Sequence, residues 1–230
     1  MVEEKNIRRG KRRRPVEVSS ADAEIPSTWV PKTKLGKMVM EGKIKSLDEI
    51  FTGKMKIMEP EIVDSLTGLQ EKTVDTAKTA RVVRAGRKFA FRVAVLVGNK
   101  NGYIGLGLGK DKERLSALRK ASRKARLNLV KVKSGCGSWE CTCGTNHSIP
   151  FKVQGECSSV KVKLMPAPKG VGLVVGDKIK DVLTFAGIRD VWGKTKGDSR
   201  TSLNYVTAAI DALSKTTKFK VSSDIEKLEK

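Results

Sequence analysis

Aromatic residues and histidine are scarce in this chain. Phe, Trp and Tyr together make up 5% of its 230 residues, and His147 is the only histidine. Proteins that bind single-stranded nucleic acid by base stacking need aromatic platforms, so this composition argues against that class. The sequence also lacks clustered carboxylates, and one histidine offers little for acid–base or nucleophilic catalysis. We therefore expect no enzyme and no catalytic residues.

Long apolar runs are missing as well. No stretch approaches the roughly 18 to 20 apolar residues that span a bilayer. The basic N-terminus is not followed by an apolar segment, so it does not resemble a secretory signal. Four cysteines without an export signal are typical of a reducing compartment, where thiols are free or bound to metal. The sequence predicts a cytoplasmic protein without a membrane segment.

Acidic residues are heavily outnumbered by basic ones. The chain has 47 Lys and Arg against 25 Asp and Glu, which gives a net charge of +22. That balance is typical of nucleic-acid binders, the alternative being a merely soluble basic protein. Residues 1–148 hold 32 of the basic and 16 of the acidic residues. The main surface for a polyanion is therefore expected in the first two thirds of the chain.

The most informative local pattern lies in residues 86–110. Apolar residues alternate from position 89 to 97, which predicts a half-buried strand. The Asn-Lys-Asn-Gly sequence at 99–102 favours a turn, because Asn and Gly tolerate a positive φ. A second strand resumes at Tyr103 with three alternate glycines, which leave one face bare for the close approach of another backbone. These glycines are Gly105, Gly107 and Gly109.

A helix is expected next, capped by Asp111 and running to about Leu129. One side is apolar, while positions 110–126 contain only two acids, Asp111 and Glu113. Helices normally mix charge signs on the exposed face, so a single sign indicates a polyanionic partner. The apolar side comprises Leu115, Leu118, Ala121, Ala125 and Leu129. The basic residues are Arg114, Arg126 and six candidate RNA ligands: Lys110, Lys112, Arg119, Lys120, Arg123 and Lys124.

The predicted loop between the first two strands is a second basic site. Three cations flank a glycine at positions 83–88, where the tip of a hairpin is expected. The loop is either a solvated turn or a tip that inserts into folded RNA, where Arg can contact phosphate with two hydrogen bonds. We favour RNA contact. The candidate residues are Arg84, Gly86, Arg87 and Lys88.

A cluster of thiols precedes the second half of the chain. Cys136, Cys141, Cys143 and His147 lie within twelve residues, and three thiolates with one imidazole satisfy tetrahedral Zn²⁺ by type and number. The C-x4-C-x-C-x3-H spacing is not the usual paired motif, and Cys157 could replace the histidine. Free thiols in a flexible linker are the alternative. A catalytic cysteine is disfavoured without an orienting group and a pocket.

The order of predicted elements indicates an α+β protein with two domains. A helix beginning at Pro60, three strands and the basic helix give the order αβββα of a double-stranded-RNA-binding domain. A hairpin, a helix from Asp177 to Gly187, a strand at 188–191 and a helix near Thr201 give ββαβα. We expect a basic tail and extension at 1–58, the first domain at 59–130 and a Gly/Cys linker at 131–148. The second domain follows at 149–216, with a tail at 217–230.

Residues 86–110 resemble the small-subunit ribosomal protein family S-five, in its archaeal or eukaryotic form. The family signature is a Gly-basic pair, an aromatic strand, a turn, and Gly-x-aliphatic-Gly. Residues 164–192 resemble its C-terminal domain, so the resemblance covers about residues 60–215. The matching positions in the first block are Gly86, Arg87, Phe91, Val93, Gly98, Asn99, Gly102, Ile104, Gly105 and Gly107.

The resemblance implies a scaffold that binds small-subunit rRNA. In the family, the loop at 83–88 lies against rRNA near the decoding region. The loop at 166–172 and the helix after it face ribosomal protein S-four, which implicates Gly172 and Lys180 in protein contact and Lys169 in RNA binding. It further implies nearby S-three and mRNA, and a role in translational accuracy. An extra-ribosomal regulatory protein that binds double-stranded RNA is the alternative.

Overall fold

Two four-stranded sheets and six helices make up the part of the chain that the computed structural model describes, residues 29–218. The predicted basic arm at 1–28 and nearly all of the predicted C-terminal tail lie outside the described residues. The helices are α1 Lys34–Met40, α2 Leu47–Thr52, α3 Glu61–Leu66, α4 Arg114–Leu127, α5 Asp177–Ala186 and α6 Ser202–Ser214. The strands are β1 Gln70–Val83, β2 Gly86–Gly98, β3 Tyr103–Asp111, β4 Leu129–Lys131, β5 Val153–Cys157, β6 Val160–Pro166, β7 Leu173–Val174 and β8 Val191–Lys196.

The first sheet has the strand order β1-β2-β3-β4 and is covered on both faces. Val93, Val95 and Val97 of β2 pack with alanines of α4 on one face. The alternate residues Ala94 and Leu96 belong to the core shared with α5 and α6. Residues 93–98 are therefore buried without a break, although period-2 alternation predicted only a half-buried strand.

The glycines of β3 receive helix α4 directly on their backbone, as their alternate spacing predicted. A methyl carbon built at Gly107 would lie 2.0 Å from the carbonyl oxygen of Ala121. The equivalent carbon at Gly105 would lie 2.3 Å from the Ala125 carbonyl oxygen. No side chain fits at these positions, and the helix contributes alanines opposite them. The close approach fixes the helix on the sheet and turns its long basic side chains outward.

Helix α4 differs from its predicted form at both ends. It begins at Arg114 with Glu113 as N-cap and ends at Leu127, before the predicted Leu129. Asp111 is the last residue of β3 and not the cap; its carboxylate accepts hydrogen bonds from the Lys112 N–H and the Ser116 hydroxyl. The predicted apolar side is also shorter, because Leu115 in the first helical turn is 70% exposed.

The N-terminal extension packs against the first sheet together with α3, the helix that was predicted to open the first domain. Helices α1 to α3 form a core of their own, centred on Leu47, Ile50 and Ile62, that includes Tyr103 of β3. Helix α2 begins where a capping box was predicted at Ser46, but the serine hydroxyl donates to the Glu49 carboxylate and does not cap a backbone N–H. Helix α3 was predicted to begin at Pro60, but it begins one residue later at Glu61 with Pro60 as N-cap. The short helix α1 was not predicted.

The second sheet confirms the predicted hairpin and two helices, with a correction between them. The predicted strand at 188–191 is displaced: β8 starts at Val191 and runs to Lys196. It pairs antiparallel with β6 and parallel with the two-residue strand β7, which was not predicted. Gly187 ends α5 with a left-handed φ of 85°, as expected of a helix-terminating glycine. The α+β class is confirmed, and the predicted orders αβββα and ββαβα both occur, with the short strands β4 and β7 added to them.

The two sheets are joined through α5. The backbone N–H groups of Lys100 and Gly102, in the turn after β2, donate to the carbonyls of Phe185 and Ala186 at 3.0 and 3.1 Å. Lys72 of β1 pairs with Asp181 of α5, with the Nζ and Oδ1 atoms 2.6 Å apart. The turn between β2 and β3 is therefore held by the second domain.

Substituting Gly107 by Ala tests the backbone contact. We expect Gly107→Ala to lower the free energy of unfolding by about 1–3 kcal/mol, because the methyl group must displace α4. Thermal and urea denaturation followed by circular dichroism measure the effect. Gly68→Ala is the control, since nothing lies within 4 Å of its added carbon. Equal stability of the two variants would contradict the proposed packing.

Candidate nucleic-acid interface and metal site

Strands β1 and β2 extend well beyond the rest of the first sheet. Strand β3 pairs with β2 only as far as Phe91, while the β1–β2 ladder continues to the pair Val83–Gly86. Residues 79–90 therefore form a two-stranded hairpin end, here called the projecting ribbon. Five residue pairs at about 3.4 Å each give it a length of roughly 17 Å. Its turn consists of Arg84 and Ala85, and Gly86 begins the return strand at a φ of 118°.

The projecting ribbon is basic and exposes apolar side chains. No acidic residue occurs between Asp75 and Asp111 in the sequence. Val82 and Phe89 are 74% and 50% exposed, and Lys78 Nζ lies 4.0 Å from the centre of the Phe89 ring. An isolated two-stranded hairpin is only marginally stable in water, so such a ribbon suits docking into a partner. The sequence-predicted residues Arg84, Gly86, Arg87 and Lys88 are all exposed here.

Helix α4 presents a second basic surface beside the sheet. Lys120 pairs with Asp111 at 2.7 Å, and this interaction, with hydrogen bonds from Ser116 and Lys112, holds the pKa of Asp111 well below its usual range. The acid therefore stays charged and neutralises one lysine. The predicted RNA ligands that the structure places here are all exposed: Lys110, Lys112, Arg119, Lys120, Arg123 and Lys124.

Arg126 was grouped with the basic face of α4, and the structure corrects this. Its guanidinium lies 2.7 Å from Asp64 Oδ1 and 2.6 Å from Glu71 Oε1, and its side chain is only 15% exposed. Burial raises the pKa of Asp64, although the attraction of Arg126 opposes the shift. Arg126 thus ties α4 to α3 and β1. It is not available to a phosphate.

The open face of the second sheet carries lysines that sequence reasoning did not assign to a site. Lys161 lies opposite Lys196 across the β6–β8 ladder, and Lys163 lies opposite Lys194. Repulsion from Lys152 and Lys194 lowers the pKa of Lys163. Like charges placed across a ladder are destabilising alone, so this face also favours an anionic partner. The alternation of lysines in β6 and in β8 is the sequence signal from which this surface could have been predicted.

The thiol cluster is assembled by the linker between the domains. Among residues 29–218, one group of side chains is suited to hold a metal ion: Cys136, Cys141, Cys143 and His147, whose ligand atoms all lie within 4.8 Å of one another. An antiparallel bridge between Gly135 and Ser148 closes the segment. Cys157, the alternative fourth ligand, lies on β5 instead.

Hydrogen bonding and burial give the thiols of the cluster different pKa values. The hydroxyl and N–H of Thr145 lower the pKa of Cys143 to about 6. Partial burial and hydrogen bonding by Cys143 raise the pKa of Cys136 to about 11. Burial lowers the pKa of His147, but hydrogen bonds with Cys141, Cys143 and Asp190 outweigh burial and raise it overall. The cluster therefore holds a thiolate near neutral pH.

The loop at 166–172 lies beside the cluster. Asp190 Oδ1 accepts hydrogen bonds from the N–H groups of Gly170 and Gly172 at 3.1 and 2.8 Å. Lys169 is exposed in the same loop and lines a groove of about 820 Å³ with Lys100 and Arg189. Of the two predicted protein-contact residues, Gly172 is half-buried in the loop, while Lys180 is exposed on α5 and faces Asp177.

Comparison with known proteins identifies the family. Residues 69–133 match the model described as ribosomal protein S5, N-terminal domain, and residues 155–228 match the model of its C-terminal domain. The chain belongs to the ribosomal protein S5 family. The first match covers the projecting ribbon and α4, and the second contains the lysine-rich sheet face. The resemblance inferred from sequence is confirmed.

Several S5-family relatives resemble almost the whole chain. The small ribosomal subunit protein uS5 of Staphylothermus marinus is 53% identical over 203 residues, 88% of this chain and 95% of the relative. That of Methanobrevibacter smithii is 53% identical over 202 residues, covering 87% and 95%. That of Methanocaldococcus jannaschii is 52% identical over 186 residues, covering 80% and 86%.

Within residues 29–218, no helix is long and apolar enough to cross a membrane.

Two neighbouring arginines of α4 provide a test of the assigned surfaces. Arg126→Ala leaves Asp64 and Glu71 without their cation, so we expect a loss of about 1–3 kcal/mol of stability. Arg123→Ala should change stability by less than about 0.5 kcal/mol, since Arg123 is exposed. It should instead reduce the slope of log K for RNA binding against log salt by the amount expected for about one phosphate contact. Denaturation curves measure the loss of stability, and filter binding at several salt concentrations measures the RNA contact. A stability loss in Arg123→Ala and a changed salt slope in Arg126→Ala, with neither effect in the expected variant, would refute both assignments.

Proposed function

We propose that this protein is an RNA-binding structural component of the small ribosomal subunit. The observation that carries the proposal is the projecting ribbon beside the basic face of α4, in a chain of the ribosomal protein S5 family. Helix α4 presents its cations on a packed element, and the ribbon carries its cations away from the body of the protein. The relatives named as small ribosomal subunit protein uS5 support the same assignment.

The proposed binding mode is dominated by phosphate contacts. Each exposed Lys or Arg that neutralises an rRNA phosphate releases condensed counterions, which favours binding without reading base sequence. The scarcity of aromatic residues fits this mode better than base stacking. Helix α4 supplies a cationic face for the RNA backbone, while the ribbon inserts between RNA segments. The protein thereby holds folded rRNA in place and needs no catalytic step.

The arrangement of the second domain supports a proposal about neighbouring proteins. The loop at 166–172 and the start of α5 belong to the second domain and lie away from the ribbon in the chain. Following the family resemblance, we assign this region, with Gly172 and Lys180, to contact with ribosomal protein S-four. Ribosomal protein S-three and the channel through which mRNA enters are expected nearby. The contact with S-four would connect the protein to translational accuracy.

Sedimentation of a tagged copy from native lysate tests the assignment to the ribosome. We expect the tagged protein to migrate with the small ribosomal subunit in both low and high salt, because many phosphate and protein contacts act together. A free RNA-binding protein should be released along the steep salt slope of phosphate contacts. Release at high salt, or migration as a free species, would overturn the assignment and favour the regulatory alternative.

Removing the cations at the ribbon tip tests the proposed RNA contact. We expect Arg84→Ala with Arg87→Ala to weaken rRNA binding, lower the salt slope by about two phosphate contacts, and impair subunit assembly or raise misreading. Lys37→Ala with Lys54→Ala is the control, since it removes the same charge from exposed positions of the extension. Equal loss of binding in the two double variants would show that only net charge matters, contrary to the proposal.

A further inference from the structure

Two pairs of ligand atoms in the cluster have the separation that a tetrahedral ion imposes, and all four atoms lie within 4.8 Å of one another. Zinc–thiolate bonds of about 2.3 Å in a tetrahedron place sulfur atoms about 3.8 Å apart, and an imidazole nitrogen slightly closer. The Sγ atoms of Cys136 and Cys143 are 3.6 Å apart, and Cys141 Sγ lies 3.7 Å from His147 Nε2. A disulfide would need about 2.05 Å between sulfurs, and all three cysteines are free. The ligand atoms are therefore spaced for an ion.

A catalytic thiol is the competing explanation of the cluster. Cys141, His147 and Asp190 are connected in the order expected of a nucleophile, a base and an orienting acid. However, two more thiols lie within 4.8 Å of the same imidazole nitrogen, and the histidine side chain is only 5% exposed. Three sulfurs around one buried nitrogen leave little room for a substrate carbonyl. The arrangement instead completes a closed, four-ligand site.

The histidine is oriented by a buried carboxylate on the other side of its ring. His147 Nδ1 lies 2.8 Å from Asp190 Oδ2, and the two side chains are 5% and 6% exposed. Metal-bound histidines commonly donate their second N–H to a carboxylate, which fixes the ring and its tautomer. Asp190 supplies this interaction from a position 43 residues away in the chain. Nε2 is thereby directed at the three thiols.

The same aspartate extends the cluster to the surface loop. Its second oxygen accepts the N–H groups of Gly170 and Gly172 at 3.1 and 2.8 Å. We propose that Cys136, Cys141, Cys143 and His147 bind one structural zinc ion, which, through His147 and Asp190, fixes the loop at 166–172. The ion would hold the linker and the second domain in one arrangement. This inference is independent of the proposed ribosomal role.

Metal analysis of the full-length protein, purified without chelator, is the first test. We expect one zinc per chain in the wild type and in the Cys157→Ser control, and less than a fifth of that in Cys143→Ser. Added Co²⁺ should give the visible and near-ultraviolet bands of a tetrahedral thiolate site in the first two proteins. Substoichiometric zinc below a tenth per chain, without cobalt bands, would overturn the site. Rapid alkylation of Cys141 alone in that metal-free protein would favour the catalytic explanation.

Backbone hydrogen exchange tests the connection to the loop. When zinc is removed by a chelator, we expect the N–H groups of Gly170 and Gly172 to exchange at least tenfold faster by NMR. Gly155, in β5 under α6, should be unaffected and reports that the second domain remains folded. Asp190→Ala, which removes both acceptor oxygens, should weaken zinc binding 10- to 100-fold and expose the same two amides even at saturating zinc. The control Asp177→Asn, whose side chain is 96% exposed, should change neither property. Unchanged exchange in both experiments would refute the coupling.

Discussion

The rest of this structure depends on the direct contact between the backbone of β3 and helix α4. Glycines at alternate positions of the strand meet alanines spaced by four along the helix, and no side chain separates them. Because the helix lies so close, its small residues are used for packing and most of its long basic residues extend to solvent, Arg126 being the exception. The positive surface is therefore a consequence of the packing. The opposite face of the same sheet remains free to pack with the second domain.

The second domain repeats this construction with different residues. Gly155 of β5 lies under α6, where an added methyl carbon would come within 2.0 Å of the Ala208 carbonyl oxygen and 2.4 Å of the Ala212 nitrogen. Small residues again bring a helix down onto a strand. Here the helix is mostly buried, and the open face of the sheet carries the lysines. The two domains thus expose positive charge from different kinds of surface, a helix in one and a sheet in the other.

Local pattern was sufficient for most elements and for the main basic surface. Alternate glycines predicted the close approach of α4, and a helical run of one charge sign predicted its exposed face. Pattern was insufficient wherever a distant residue decides the outcome. Arg126 has the helical position of a surface cation, but Asp64 and Glu71, more than fifty residues earlier, bind it. The two-residue β7 exists only through its pairing with β8.

The thiol cluster shows the same division between local and distant information. Residue types and number identified the four candidate ligands, but the spacing alone did not exclude Cys157. Only the fold brings Asp190 to His147 and separates Cys157 on its own strand. Alternating lysines in β6 and β8 are visible in the sequence, but only the register between the two strands places them opposite one another on one face. The sequence thus identified the candidate ligand residues, and the tertiary structure determined which other residues contact them.

The shared core has a consequence for how the chain is made. Leu96 and Ile104 of the first sheet are fully buried, but they are covered by α5 and α6, whose last buried residue is Leu213. During synthesis, about 110 residues separate Ile104 from its cover, which at roughly 5–20 residues per second takes about 5–20 s. For that interval the nascent first sheet presents an uncovered apolar face together with its cationic helix. The order of elements along the chain therefore leaves this apolar face without its intramolecular cover until α6 has been made.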